Sequence, residues 1–399
     1  MTSRRVLSLC LAASLAAACH APSTPAELPS APAGPRPGAS TAARTSVPAP
    51  SSPVSERSPT PLGPVRTRRL QIAQAALAPA LVSWKLTSLG TDCTLLFSER
   101  DEWLAGCQMP GQPAGFTATG ETYLAQPVLW NPSPLTLGAT TTPYAQAGLS
   151  TVGTVATQKR ESDGVQTPVL VLQDWDALHA HHPGFQSSGI EEWLGITVHE
   201  AFHAHQMWQP RVRALIDGWK DKGPATANEL MAFGKANPDF RAAVDQEIDA
   251  LRLATDAAPD ARAARAALGR WLTQRQARKA AFEAKMEAAL PGKRAWEMDG
   301  FYTFLEGTAR YVEASFLMAP SPETRQALAE EPTFAGFTTT AGKKPTQLPG
   351  LSGGGSKYFY AVGMYLCFLL DRADPGWKGH LFDTDGLLLD EVERVARAR

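Results

Sequence analysis

The chain has no excess of charge of either sign. Its 38 Lys and Arg stand against 39 Asp and Glu, and no stripe of basic residues interleaved with aromatics occurs. Nucleic acid is therefore not an expected partner, because a phosphate backbone is bound through clustered positive charge. Long apolar runs are missing at the amino terminus. Val6 to Ala18, behind Arg4 and Arg5, is too short to span a bilayer as a mature helix and has the length of a signal-peptide core, so residues 1–18 read as a cleaved signal. Residues 19–66 hold almost no large apolar side chains and are rich in Pro, Ala, Ser and Thr. They cannot bury enough surface to offset the entropy of ordering and read as an extended tether. Histidine is scarce, 8 residues in 399, and cysteine scarcer, 5 in all.

That scarcity makes His199-Glu200-Ala201-Phe202-His203 informative, since composition alone would produce an H-E-x-x-H in about one chain of this length in a hundred. Residues four apart share one helix face, so His199 and His203 can offer a ring nitrogen each to one metal ion, while Glu200 projects towards a water beside it. The apolar spacing of Ile190, Trp193, Leu194, Ile196 and Val198 predicts the helix; Ser188 with Glu191 fits a capping box at its start, and Pro210 marks its end. An ordinary core helix would bury His199, Glu200 and His203 at a cost of several kcal/mol, which a metal removes. His205 breaks the four-residue spacing and is expected at the surface or behind the ligands.

Catalytic zinc normally takes three protein ligands, so a third is expected elsewhere. Glu306 is the candidate, a carboxylate in a second apolar helix from Phe301 to Glu313, with Gly307 beside it allowing close helix approach. Glu313 and Asp299 are the fallback ligands. Arg310 and Glu313 follow on roughly the same face, where they either orient the ligand carboxylate or form a plain intrahelical ion pair.

H-E-x-x-H followed by Glu306-Gly307-Thr308-Ala309-Arg310-Tyr311-Val312-Glu313 resembles the gluzincin metallopeptidases. The second motif is similar to the N-E-G-F-A segment of aminopeptidase N-type enzymes. The resemblance implies an α+β zincin fold, thermolysin-like, with one Zn2+ bound by His199, His203 and Glu306 and with Glu200 activating water. Tyr360-Ala361-Val362-Gly363 resembles the Y-x-x-G segment whose tyrosine steadies the oxyanion, which points to Tyr360, with Tyr358 and His380 as rivals. Residues 204–305 separate the second histidine from the third ligand, far more than in the aminopeptidases. No G-x-M-E-N-like segment is present, so exopeptidase action is unsupported. Leu305 stands where aminopeptidases have Asn, and Arg310 where thermolysin-like enzymes have an acidic residue.

Leu15-Ala16-Ala17-Ala18-Cys19 resembles a bacterial lipobox with Ala16 in place of the usual Leu. It implies lipidation at Cys19 and a location in the cell envelope: outer membrane, periplasm or cell surface. The other reading is simple signal cleavage and secretion. Cys93 and Cys107 flank a predicted hairpin, and a disulfide between them is expected in an oxidising compartment; Cys367 reads as buried packing. Short β-prone runs, Leu81 to Thr87, Cys93 to Phe97, Leu149 to Ala156 and Val169 to Leu172, predict a β-rich lobe over 67–185. Val169 to Leu172 is either an edge strand above the metal helix or an interior one. His179, His181 and His182 read as a solvated loop.

Residues 186–399 are expected to form the helical lobe, with 211–295 an inserted helical hairpin or cap beside the cleft and Leu387 to Arg399 docking on the core. Asp383 to Gly386 faintly suggests a calcium loop, rejected because Leu381 and Val392 sit where oxygen ligands are needed. The expected function is hydrolysis of a peptide or protein substrate. Two other readings stand beside it: a catalytically silent zincin scaffold that binds peptide or envelope material, and a zinc hydrolase of a non-protein amide.

Overall fold

The computed structural model describes residues 57–86, 93–98, 100–108, 115–132, 153–159, 166–181, 185, 189–219, 223–330, 344–345, 358–383 and 387–398. The signal, the tether up to residue 56, Cys19, Ser188, His182 and the centre of the rejected calcium loop lie outside them. The fold is mixed α+β, and no helix among the described residues is long and apolar enough to cross a membrane.

One six-stranded sheet contains β1 (Thr94–Phe97), β2 (Glu102–Ala105), β3 (Thr117–Tyr123), β4 (Gln126–Asn131), β5 (Gly153–Lys159) and β6 (Gln166–Gln173), in the order β3-β4-β2-β1-β6-β5. β1 and β2 form the expected hairpin, and Cys93 and Cys107 at its open end are disulfide-bonded. β6 runs parallel to β1 and antiparallel to β5, which settles Val169 to Leu172 as interior. Continuous burial has a plain cause there. Leu170 and Leu172 face the main core with Trp193 and Leu194, while Val169 and Val171 face a smaller cluster with Leu95, Phe97 and Phe116.

The β-rich lobe is not all β. Helix α1 (Gly63–Ser83) occupies the stretch expected to be tether and first strand, so the boundary at 66 falls inside a helix and Leu81 to Ser83 are helical. Leu70, Ala73, Ala76 and Leu77 give it a buried face, and Pro79 sits in its last turns rather than breaking it. Its start is tied to β3, since the backbone N–H groups of Leu62 and Gly63 donate to the Glu121 carboxylate at 2.6 and 3.1 Å. α2 (Trp175–His181) carries His179 and His181, which are therefore helical and not in a loop. Asp174, before it, accepts from Arg66 at 2.9 Å and so fastens α1 to the end of β6.

The helical half comprises α3 (Ile190–Gln206), α4 (Pro210–Trp219), α5 (Ala227–Ala236), α6 (Pro238–Ala257), α7 (Ala261–Ala289), α8 (Ala295–Met318), α9 (Pro322–Ala329), α10 (Tyr358–Ala373) and α11 (Leu387–Arg397). α8 is buried along most of its length, against α3 on one side and α10 on the other. The α8–α10 crossing is backbone on backbone: a Cβ built on Gly307 would lie 2.4 Å from the Cα of Gly363. Only glycine at both positions permits that approach.

The described part of residues 211–295, expected as a helical hairpin or cap, packs into the core. α6 and α7 pack on each other and on α10, and Phe240, Val244 and Trp271 belong to the same hydrophobic core as α3 and α8. A buried ion network seals that seam. Arg278 donates to Glu247 at 2.6 Å and to Asp299 of α8 at 3.3 Å, Arg275 donates to Asp299 at 3.1 Å, and the Tyr358 hydroxyl donates to the same Asp299. Burial alone would raise the Asp299 carboxyl, but Arg278 and then Arg275 hold it below the usual range. α11 docks on α7, as its amphipathic pattern predicts.

Candidate metal centre

α3 is buried at nearly every position from Ile190 to Gln206, so its polar residues need partners inside the protein. It does not start with the predicted capping box: the N-cap is Gly189, with no side-chain cap, and a Cβ there would strike the folded-back Glu191 carboxylate. One turn apart near its end, His199 and His203 bring their Nε2 atoms to 3.1 Å of each other. Glu306 of α8 enters from the facing helix, its Oε2 lying 3.5 Å from His199 Nε2 and 3.3 Å from His203 Nε2. The potential ligand atoms of these three buried residues all lie within 4.8 Å of one another and could hold a metal ion.

The outer nitrogens explain why the inner ones converge. His199 Nδ1 lies 3.1 Å from Glu313 Oε2, and the other Glu313 oxygen accepts from Arg310. His203 Nδ1 lies 3.0 Å from Gln206 Oε1. With Nδ1 protons given to these acceptors, both Nε2 lone pairs and the Glu306 carboxylate face one point, an arrangement that repels itself unless a cation sits there. The electrostatics agree. Burial pushes the His199 imidazole down, but Glu306, Glu313 and Glu200 outweigh it and raise it to about 9. Burial likewise pushes Glu306 up, and the two imidazoles hold it well below the ordinary carboxylate range; Glu313 is lowered to about 2, against its burial, chiefly by Arg310. The pocket is built to stabilise positive charge. Two imidazoles and one carboxylate are a donor set suited to a divalent metal cation.

The chain matches no family model, no curated protein and no solved structure. The site therefore stands on its geometry.

Glu200, next to His199 in sequence, is 1% exposed, with both carboxylate oxygens shielded from solvent. The Tyr360 ring stacks on His199, centroids 5.9 Å apart at 17°, with its hydroxyl also shielded. Its rivals are elsewhere: Tyr358 is engaged with Asp299 in the ion network, and His380 is exposed on a 3-10 corner. Asp299 is likewise held by arginines and is no substitute ligand. One expectation changes. Glu313 and Arg310 form the intrahelical ion pair and support the imidazole of His199, not the Glu306 carboxylate, because Glu313 lies two turns further along α8 and reaches the outer edge of that ring. His205 is buried, which excludes the surface and leaves the place behind the ligands. Sequence reasoning missed Gln206 and Thr308, whose side chains bond at 2.7 Å behind His203. Gln206 stands three residues after His203 on the same helix face, which was the only signal available.

Proposed function

We propose that the protein is an exported zinc-dependent peptidase of gluzincin type, with a zincin fold, lipid-anchored through Cys19. The observation that carries the reading is the convergence of His199, His203 and Glu306, with the buried Glu200 following His199 in the chain and its charge acting on that imidazole: three ligands leave a coordination position open, and a buried carboxylate close by is what hydrolysis needs and binding does not. A Zn2+ ion held by those three residues supplies Lewis acidity, polarising a substrate carbonyl and lowering the pKa of a water towards about 7.

The chain's own groups do the rest. Glu200 takes a proton from the attacking water and returns it to the leaving amide nitrogen, so one carboxylate serves as base and then acid. Tyr360 donates its hydroxyl proton in a hydrogen bond to the carbonyl oxygen as negative charge grows there, its ring fixed by stacking on His199. Glu313 and Gln206 hold the two imidazoles in place.

Elemental mass spectrometry of purified protein should give one zinc per chain, and clearly less in Glu306→Gln. Glu200→Gln should keep the zinc and lose peptide hydrolysis by a factor of about 100 to 10,000, the usual worth of a general base. Absence of zinc from wild type sinks the hydrolase reading; zinc bound without any peptide cleavage favours a binding scaffold.

A further inference from the structure

The two imidazoles are held by unlike partners: His199 by a carboxylate, His203 by a neutral amide. An amide can present either its oxygen or its NH2 group to a ring nitrogen, and the choice decides which ring nitrogen keeps a lone pair. In this protein a chain of hydrogen bonds makes that choice, and it starts at backbone. The carbonyl oxygen of Phe304 can only accept, and Thr308 Oγ1 lies 2.8 Å from it, with the Leu305 carbonyl a longer second acceptor at 3.4 Å. The Thr308 hydroxyl proton is thereby committed to α8. Its lone pair then accepts from Gln206 Nε2 at 2.7 Å, so Gln206 must turn Oε1 towards His203 Nδ1 at 3.0 Å. Nδ1 carries the proton, and Nε2 offers its lone pair towards His199 and Glu306. Gln206 and Thr308 are both fully enclosed, at 0% exposure, so no water competes for these bonds.

We infer that Thr308 and Gln206 are positioning residues that impose the Nε2-ligating tautomer on His203. This rests on the metal-site reading above. The relay also couples the ligand helices, because the hydroxyl that sets the tautomer of an α3 histidine sits two residues from Glu306 on α8.

The test is Thr308→Val, nearly the same shape without the hydroxyl, compared with Thr308→Ser, which keeps it. Zinc affinity is measured by competition with a chromophoric chelator. Two-dimensional 1H–15N spectra of the histidine rings of the full chain identify the protonated nitrogen of His203. The relay predicts Nδ1–H in wild type, zinc affinity weakened about 10- to 100-fold in Thr308→Val, and recovery close to wild type in Thr308→Ser. A His203 proton on Nε2 in wild type overturns it, as does a folded Thr308→Val with wild-type zinc affinity. Should Thr308→Val not fold, the wild-type ring spectrum and the Thr308→Ser affinity still decide. Should wild type bind no zinc, the peptidase reading fails by itself, and the proton position in the metal-free protein still supports or overturns the relay.

Discussion

Gly363→Ala is the sharpest perturbation available, because it acts on the ligand geometry without touching a ligand. A Cβ on Gly363 would sit 2.1 Å from the Thr303 carbonyl oxygen and 2.6 Å from the Gly307 Cα, all backbone of α8. Ordinary contact begins near 3.4 Å, so α8 and α10 must part by about 1 Å. Overpacking of this kind costs about 1–3 kcal/mol, and the better helix propensity of Ala returns up to about 1. A net destabilisation of about 1–2 kcal/mol is expected by urea unfolding. The more specific consequence lies at the metal. Glu306 precedes Gly307, and metal–ligand distances tolerate only about 0.2 Å, so zinc affinity should fall by at least tenfold in chelator competition. Gly269→Ala is the control: its Cβ meets nothing within 4 Å on α7, so it should stabilise by about 0.5–1 kcal/mol and leave zinc untouched. If Gly363→Ala were as stable as wild type and bound zinc equally well, the argument from helix contact would be wrong.

Three further outcomes are expected. Burial raises the Glu102 carboxyl to about 7 despite its bond from Asn131, so the folded state holds a proton that the unfolded chain releases above about pH 4.5. That contribution is present below pH 4.5 and lost as pH rises through 7. It is worth at most about 3 kcal/mol, so Glu102→Gln should raise Tm at pH 8 and leave it nearly unchanged at pH 4; an equal gain at both would refute the assignment. Arg278→Met removes the shared partner of Glu247 and Asp299 in the α6–α7–α8 seam and should cost about 3–5 kcal/mol in denaturant unfolding; a loss under 1 would show that the network contributes little. Chelation should lower Tm in wild type, with zinc added back at a hundred times its Kd restoring about 2.7 kcal/mol, and should do nothing to Glu306→Gln.

What could be read from residues alone was local. The four-residue spacing of His199 and His203 defined one face of one helix, and a carboxylate among apolar neighbours at Glu306 called for a partner; both are statements about single helices. The Cys93–Cys107 hairpin was legible for the same reason. Failures arose where local pattern and tertiary context part. α1 was hidden by the neighbouring Pro- and Ala-rich composition and by Pro79, which reads as a helix breaker and yet lies inside this helix. Val169 to Leu172 was ambiguous because an unbroken apolar run fits an interior strand with two different cores as well as an edge. The partners of Arg275 and Arg278 were not legible, because Glu247 and Asp299 reach them from two other helices. Gln206 and Thr308 could not be paired from sequence at all, since a contact between helices leaves no periodicity in either.

His203 and Glu306 are separated by 103 positions in the chain, with the whole of α4 to α7 between them. Closing so long a loop is entropically expensive and comes late in folding. The two histidines on α3 would form a half-site early, but the third ligand arrives only when α8 docks. Zinc would then act on the finished protein rather than on the search for it, leaving the folding rate alone and slowing escape from the native state. That is stability of a kinetic kind: the metal would serve as a latch closed last and opened first, and the lifetime of the fold would track the free zinc around it.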